Sequence, residues 1–237
     1  MSFFENLKNN RDTQIMALSI VFFVLAFPIY FGLAAANADE GAGLNAVNMY
    51  EVTGEVTYIE IAAGDEFIAD GDTLTIDNLH TDSIDDAEDL NIVGVILTMS
   101  YTEAEETSGN PLSCGAAPGN PADDTITGMT MHGEYNETAS GSNNADSGGH
   151  TVESYWINES IVGEIVIMSK AEIISMVDAD GAGLGAYTAE IAVDANAGNA
   201  GPIGCTRSDP GEDVVYKVEL IVFDYDIRPY FEVSEEI

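Results

Sequence analysis

From about residue 50 onward the apolar residues recur at every second position in short runs, the spacing of strands half buried against a core. In NIVGVILTMSYT the residues Val93, Val95, Leu97, Met99 and Tyr101 fall on one face. AYTAEIAV repeats the pattern with Tyr187, Ala189, Ile191 and Val193 inward. VVYKVELIVFDYDI begins with Val214, Tyr216, Val218, Leu220 and Val222 and then changes phase to Phe223, Tyr225 and Ile227. A bulge near Val222 or burial on both faces accounts for such a shift. EVTGEVTYIEI, DTLTID, ITGMTMHGEY, VESYWI and GEIVIM bring the total to about eight strands. SKAEIISMV alone has helical spacing, for two turns between strands. NETASGSNNADSGGH is polar and glycine-rich and reads as a hairpin loop. The pattern predicts an all-β fold, one antiparallel β-sandwich domain over residues 51–237, with no internal repeat and enough chain for one core.

The beginning of the chain has a different pattern. No charged residue occurs from Ile15 to Ala36, and these 22 positions span roughly 33 Å as a helix, against about 30 Å for a hydrocarbon core. The run is long for a secretory signal, whose apolar region is about 7 to 15 residues, yet Ala36-Asn37-Ala38 forms an A-x-A cleavage pattern before Asp39. Length favours a retained signal anchor; the A-x-A pattern is the alternative, cleavage. Lys8 and Arg11 precede the run and Asp39 and Glu40 follow it, which keeps the N-terminus cytoplasmic and the C-terminal part outside. Pro28 kinks the span or marks a less regular outer half. The expected organisation is a cytoplasmic segment at 1–14, a transmembrane helix at 15–36 in contact with the lipid bilayer, a linker at 37–50 and an extracellular sandwich at 51–237.

The charge sharpens this picture. The formal net charge is −36, from 42 acidic and 6 basic residues. The segment before the span contributes none of it, since Lys8 and Arg11 cancel Glu5 and Asp12. The outer domain therefore carries the whole excess, and its only basic residues are Lys170, Arg207, Lys217 and Arg228. Such a surface repels nucleic acid and anionic lipid heads, which excludes phosphate-tracking functions.

Cys114 and Cys205 are the only cysteines and lie in LSCGAAPGN and GPIGCTRSD, both loop-like. Outside a membrane they have one intrachain pairing open to them, and a disulfide is expected. If the strands near residues 51, 72 and 91 are successive antiparallel neighbours, both cysteines fall at the end of the sandwich far from the membrane.

GAYTAEIAVDANAG resembles the G-x-Y-x-x-x-V-x-V strand ending of immunoglobulin-like domains in surface proteins, PKD-type modules included. The resemblance implies an immunoglobulin-like or jelly-roll-like sandwich at a cell surface, with Tyr187 as a corner tyrosine held by its hydroxyl. It names no partner.

Several motifs have chemical potential. DADGAG, with Asp178 and Asp180, resembles part of a calcium loop but lacks the EF-hand register, so a solvated turn is the competing reading. ADGDT around Asp70 and Asp72 and DPGED around Asp209 are weaker versions. Acidic pairs such as Asp85 with Asp86 and Asp123 with Asp124 could serve acid–base chemistry on a glycoside, but composition alone produces such pairs. Met129 and Met131 share a strand face next to His132, which suggests core packing rather than a soft-metal site. Asn136 and Asn158 begin glycosylation sequons, the first in the predicted loop. The chain has no G-x-S-x-G, H-E-x-x-H or P-loop motif. The expectation is a non-catalytic, membrane-anchored surface or envelope protein that presents an acidic sandwich to a protein partner or supports a layer. Calcium is the one cofactor under consideration. An accessory subunit of a larger membrane complex is the alternative, and a secreted carbohydrate-active enzyme stands behind both.

Self-repulsion of this charge predicts that salt stabilises the domain as the Debye length falls from about 8 Å at physiological ionic strength to about 3 Å at 1 M. Melting temperature should rise with sodium chloride up to marine concentrations, and a melt indifferent to salt would contradict the expectation.

Overall fold

The alternating stripes assemble into two antiparallel sheets packed face to face. The computed structural model describes Phe27 and residues 49–103, 106–109, 114, 122–143, 147–201 and 203–230. Among them are eleven strands: β1 (Met49–Ala69), β2 (Thr73–His80), β3 (Ile92–Glu103), β4 (Glu106–Gly109), β5 (Asp124–His132), β6 (Tyr135–Asn143), β7 (Ser147–Tyr155), β8 (Ile165–Ile167), β9 (Ala186–Asp194), β10 (Cys205–Ser208) and β11 (Gly211–Pro229). One helix, α1 (Lys170–Val177), lies between β8 and β9. The five-stranded sheet has the order β7-β3-β11-β1-β8, the four-stranded sheet the order β2-β9-β5-β6, and β10 and β4 form a separate ribbon.

β1 and β11 pair antiparallel from Tyr50 opposite Pro229 to Ala69 opposite Gly211. The strands near residues 51, 72 and 91 are therefore not successive neighbours. β2 belongs to the opposite sheet and pairs with β9, while β3 lies beside β11. The two inner faces share one core: Leu97 and Met99 of β3 and Val218 and Leu220 of β11 meet Ile126 of β5 and Ile191 of β9.

Burial on both faces accounts for the phase change in β11: Val218, Leu220 and Val222 stay on the inner face, while Ile221 and Phe223 enter an outer cluster. The β11–β3 register slips between Ile221 and Val222, opposite Gly94 and Ile92, which leaves Val93 as the extra residue. Val93 consequently leaves the stripe it was expected to share with Val95 and Leu97. It joins Tyr50, Val52, Ile221 and Phe223 in a second cluster on the outer face of the sheet, beneath Ile173 and Val177 of α1. The helix starts at a capping box: the Ser169 hydroxyl accepts from the Glu172 amide, and the Glu172 carboxylate accepts from the Ser169 amide. The Ser169 amide, and after it the Ser169 hydroxyl, both donate to Glu172 Oε2 and hold that carboxyl below its ordinary range. Asn91 ties the far end of α1 to the sheet, donating to the Val177 and Phe223 carbonyls and accepting from the Ala179 amide.

The polar stretch read as a hairpin loop, residues 136–150, instead supplies nearly all of β6 and the first four residues of β7. Its glycines allow close approach: a Cβ at Gly141 would lie 2.3 Å from the Tyr101 hydroxyl oxygen, and one at Gly148 would lie 2.4 Å from the same ring. Strand propensity here is overridden by the fit of a buried tyrosine. Met129 and Met131 do share a face, but it is the half-exposed outer one, because the buried parity of β5 runs through Asp124, Ile126, Gly128, Thr130 and His132.

Among the described residues no helix is long and apolar enough to cross a membrane. Apart from Phe27, the run from Ile15 to Ala36 lies outside the described residues. Ile173 is fully buried between α1 and the sheet, so Ile173→Ala should cost about 2 to 5 kcal/mol of stability. Urea melts would measure the loss.

Candidate functional site

The end of the sandwich opposite Met49 carries the polar interior. There Ala69 of β1 faces Gly211 of β11, and Glu103, the last residue of β3, faces Glu212. The β4–β10 ribbon prolongs β3 and β11 past this point, with Cys205 opposite Gly109. The ribbon is locked by the expected disulfide: Cys114 and Cys205 are joined with their Cα atoms 5.6 Å apart across a sequence separation of 91. Both cysteines thus sit at the end away from the start of β1, although the strand neighbours that deliver them differ from those expected.

Three carboxylates converge beside the ribbon. Asp124 opens β5, Asp209 sits in the turn between β10 and β11, and Glu212 is the second residue of β11. One oxygen from each lies within 4.8 Å of the other two. Asp124 and Glu212 are 0% exposed. They come from opposite sheets, so the group bridges the sandwich. At about 5 Å and an effective dielectric constant of about 20, two such charges repel by roughly 3 kcal/mol.

Local geometry holds the group in place. The Asn196 amide donates to Asp124 Oδ1 at 2.6 Å, and the Gly211 amide donates to Asp209 Oδ1 at 3.2 Å. Gly211 has φ of +137°, and a Cβ there would meet the Ile68 carbonyl oxygen at 2.1 Å. Only glycine fits that turn. Burial, and after it the charge of Glu212, raise the Tyr101 hydroxyl above its ordinary range. Asn143, 4% exposed, stands directly opposite Asp124 in the β5–β6 register with its side chain on the same buried face. Its Nδ2 and Asp209 Oδ2 are buried and meet no hydrogen-bond partner among the described residues.

Asp209 and Asp124, both singled out in the sequence, belong to this group; the other candidates lie elsewhere. Asp178 caps the end of α1, where its carboxylate accepts from the Tyr225 hydroxyl at 2.6 Å and from the Asp180 amide at 2.9 Å. Burial and this Asp178 contact push the Tyr225 hydroxyl up to about 12. Asp180 is exposed, in the left-handed region with φ of +47°. Tyr187 donates its hydroxyl hydrogen to the Gly183 carbonyl, and burial raises it above the ordinary tyrosine range. Its ring stacks on His132 at a centroid distance of 4.1 Å. His132 Nδ1 and Nε2 lie 2.9 Å and 2.7 Å from the Ala186 and Ala182 carbonyl oxygens. Asn136 is exposed on β6 rather than in a loop, and Asn158 is exposed before a 3-10 turn, accepting from the Ser160 amide. Asp85 and Asp86 are both exposed, whereas Asp123 is exposed and Asp124 buried.

Surface depressions lie elsewhere among the described residues. An open cleft of about 730 Å³ is lined by His80, Asp82, Asp86, Glu88 and Leu184. An apolar groove of about 290 Å³ on the outer face of the five-stranded sheet is lined by Val56, Tyr58, Tyr155, Ile157 and Phe223.

No protein-family model matches the chain, and no curated protein matches it. Among solved structures it is similar to a chain in the structure of infectious bursal disease virus Gt strain, at 10% identity and a TM-score of 0.26, over 78% of this chain and 44% of that one. It therefore spans less than half the length of that neighbour. A second neighbour comes from the structure of Cocksfoot mottle virus, at 8% identity and a TM-score of 0.22, over 73% of this chain and 94% of that one. The two packed antiparallel sheets themselves support a β-sandwich; the narrower immunoglobulin or PKD likeness is not among these matches.

DPGED, one of the weaker calcium-loop versions in the sequence, contains both Asp209 and Glu212, and Asp124 belongs to the acidic pair with Asp123, but neither motif joins the three. Extending the β11 stripe of Val214, Tyr216 and Val218 back by two positions puts Glu212 on the core face, and extending the β5 face back from Ile126 does the same for Asp124. Replacing Cys114 and Cys205 by serine opens a loop of 91 residues. The double variant should lose about 4 to 5 kcal/mol in the chain-entropy model, read from denaturant melts with and without reductant.

Proposed function

We propose that this chain is a membrane-anchored surface protein whose acidic β-sandwich stands outside the membrane and serves interaction or structural support rather than catalysis. The observation that carries the reading is the disulfide between Cys114 and Cys205. It belongs to a domain that follows an uncharged run from Ile15 to Ala36 with basic residues only on its N-terminal side. Disulfides persist in oxidising compartments, and the flanking charges orient the following domain toward one.

Other features agree. Asn136 and Asn158 are exposed, so glycosylation at either is sterically open. The bond from Tyr187 to the Gly183 carbonyl supports the immunoglobulin-like kinship of β9. A jelly-roll-like sandwich remains its counterpart in the same architecture.

One feature favours the second reading, an accessory subunit of a larger membrane complex. Among the described residues β8 covers only Met49–Glu51 of the second edge of β1. Beside that edge, Val56 and Tyr58 are 44% and 54% exposed and border the apolar groove. An open edge and an adjoining apolar groove suit a partner that adds a strand.

N-terminal sequencing of the mature protein should find the N-terminal segment retained, and protease added to intact cells should remove the sandwich. A mature chain starting at Asp39, or a sandwich protected in intact cells, overturns the anchored reading. Stable co-purification of one membrane partner in detergent distinguishes the accessory subunit from the self-standing surface protein.

A further inference from the structure

We propose that Asp124, Asp209 and Glu212 form a binding site for one calcium ion, which clamps the two sheets together at the disulfide end of the sandwich. The carboxylates arrive from three separate segments, and two of them are fully buried. Buried like charges gathered this closely are what a hard cation stabilises, and carboxylate oxygen is the donor that calcium prefers.

Calcium holds its oxygens at about 2.3 to 2.6 Å, so two ligands on opposite sides of the ion stand about 4.6 to 5.2 Å apart. The three carboxylate oxygens lie within 4.8 Å of one another, inside that span. Calcium accepts an irregular shell of oxygens, whereas magnesium demands a near-ideal octahedron.

Asn143 is the independent sign of a ligand. It is 4% exposed, faces Asp124 across the β5–β6 pair, and has a buried Nδ2 with no hydrogen-bond partner among the described residues. Directly opposed side chains lie about 4.5 to 5.5 Å apart at Cβ. A half-turn about the Cβ–Cγ bond exchanges Nδ2 for Oδ1, a neutral oxygen of the kind that completes a calcium shell. Buried Asp209 Oδ2 offers a further position. The Asn196 amide donates to Asp124 Oδ1, and the Gly211 amide donates to Asp209 Oδ1.

The site would join β5 of one sheet to β11 of the other. Asp209 directly follows Ser208, the last residue of the ribbon that Cys205 anchors. Disulfide and ion would therefore order the same segment from its two ends.

The test is calorimetric titration of the full chain in detergent with calcium chloride, against magnesium chloride and against sodium chloride of equal ionic strength. One calcium per chain is expected, with affinity at least about tenfold above magnesium, and removal of calcium by a chelator should lower the melting temperature. Glu212→Gln should weaken calcium binding by about tenfold or more while raising the melting temperature of the calcium-free protein, because it removes a buried like charge. Asp209→Asn, at the half-buried member, provides the same readout should Glu212→Gln fail to fold. The proposal is overturned if calcium produces no more heat than sodium chloride, if many weak calcium ions bind regardless of the substitutions, or if the variants keep wild-type affinity. It is also overturned if Arg207, two residues before Asp209, supplies the compensating charge, so that only Arg207→Gln lowers stability and calcium changes nothing.

Discussion

The structure depends on the pairing of β1 with β11, the first and last strands of the sandwich. The ladder joins residues near 50 to residues near 229 and runs to Ala69 opposite Gly211. It leaves one edge of β11 for β3 and a short part of β1 for β8. Because its partners are far apart in sequence, most of the domain must be made before the central pair can close, and such topologies fold slowly. The disulfide acts on the same problem from the other side. It holds the chain that leaves β3 against the chain that enters β11, next to the point where those two strands meet.

The central ribbon also explains why the sheet has two buried faces. The register slip opposite Ile221 and Val222 turns Val93 of β3 outward, where it meets Ile221 and Phe223. An outward apolar patch of this size needs a cover, and α1 with the 3-10 turn at Glu159–Ile161 supplies it. At the other end the ribbon delivers Glu212 to the inner face, where Asp124 and Asn143 already reduce the apolar character of the core. The two ends are thus built on opposite principles, apolar cover at one and convergent carboxylates at the other. In a chain of formal net charge −36, surface carboxylates are kept apart by water. Only a group drawn into the interior forces a choice between protonation, an internal counter-ion and a bound cation.

Much of this architecture was legible along the chain. Tyr187, Ala189, Ile191 and Val193 are buried as their alternation requires, and the apparent phase change after Val222 marks burial on both faces of β11. SKAEIISMV forms its helix with the Ser169–Glu172 box. The polar run after Asn136 misled because local composition favours a loop, whereas Tyr101 needs glycines on the strands beside it. Met129 and Met131 misled because parity identifies two faces without saying which is buried. Asp124 decided that question by pointing inward with Ile126.

Alternation, turn residues and charge are local or additive properties, so the sequence by itself determined the β class, the strand stripes, the helix, the acidic surface and the single cysteine pairing. Which strands neighbour one another is a matter of long-range register, and only the tertiary structure decided that β1 meets β11 while β2 crosses to the other sheet. The carboxylate group belongs to this second kind. Asp124, Asp209 and Glu212 are ordinary members of an acidic chain until two sheets and one glycine turn bring their oxygens within 4.8 Å of one another. Proximity between segments so distant in sequence is produced by packing alone, and no spacing along the chain encodes it.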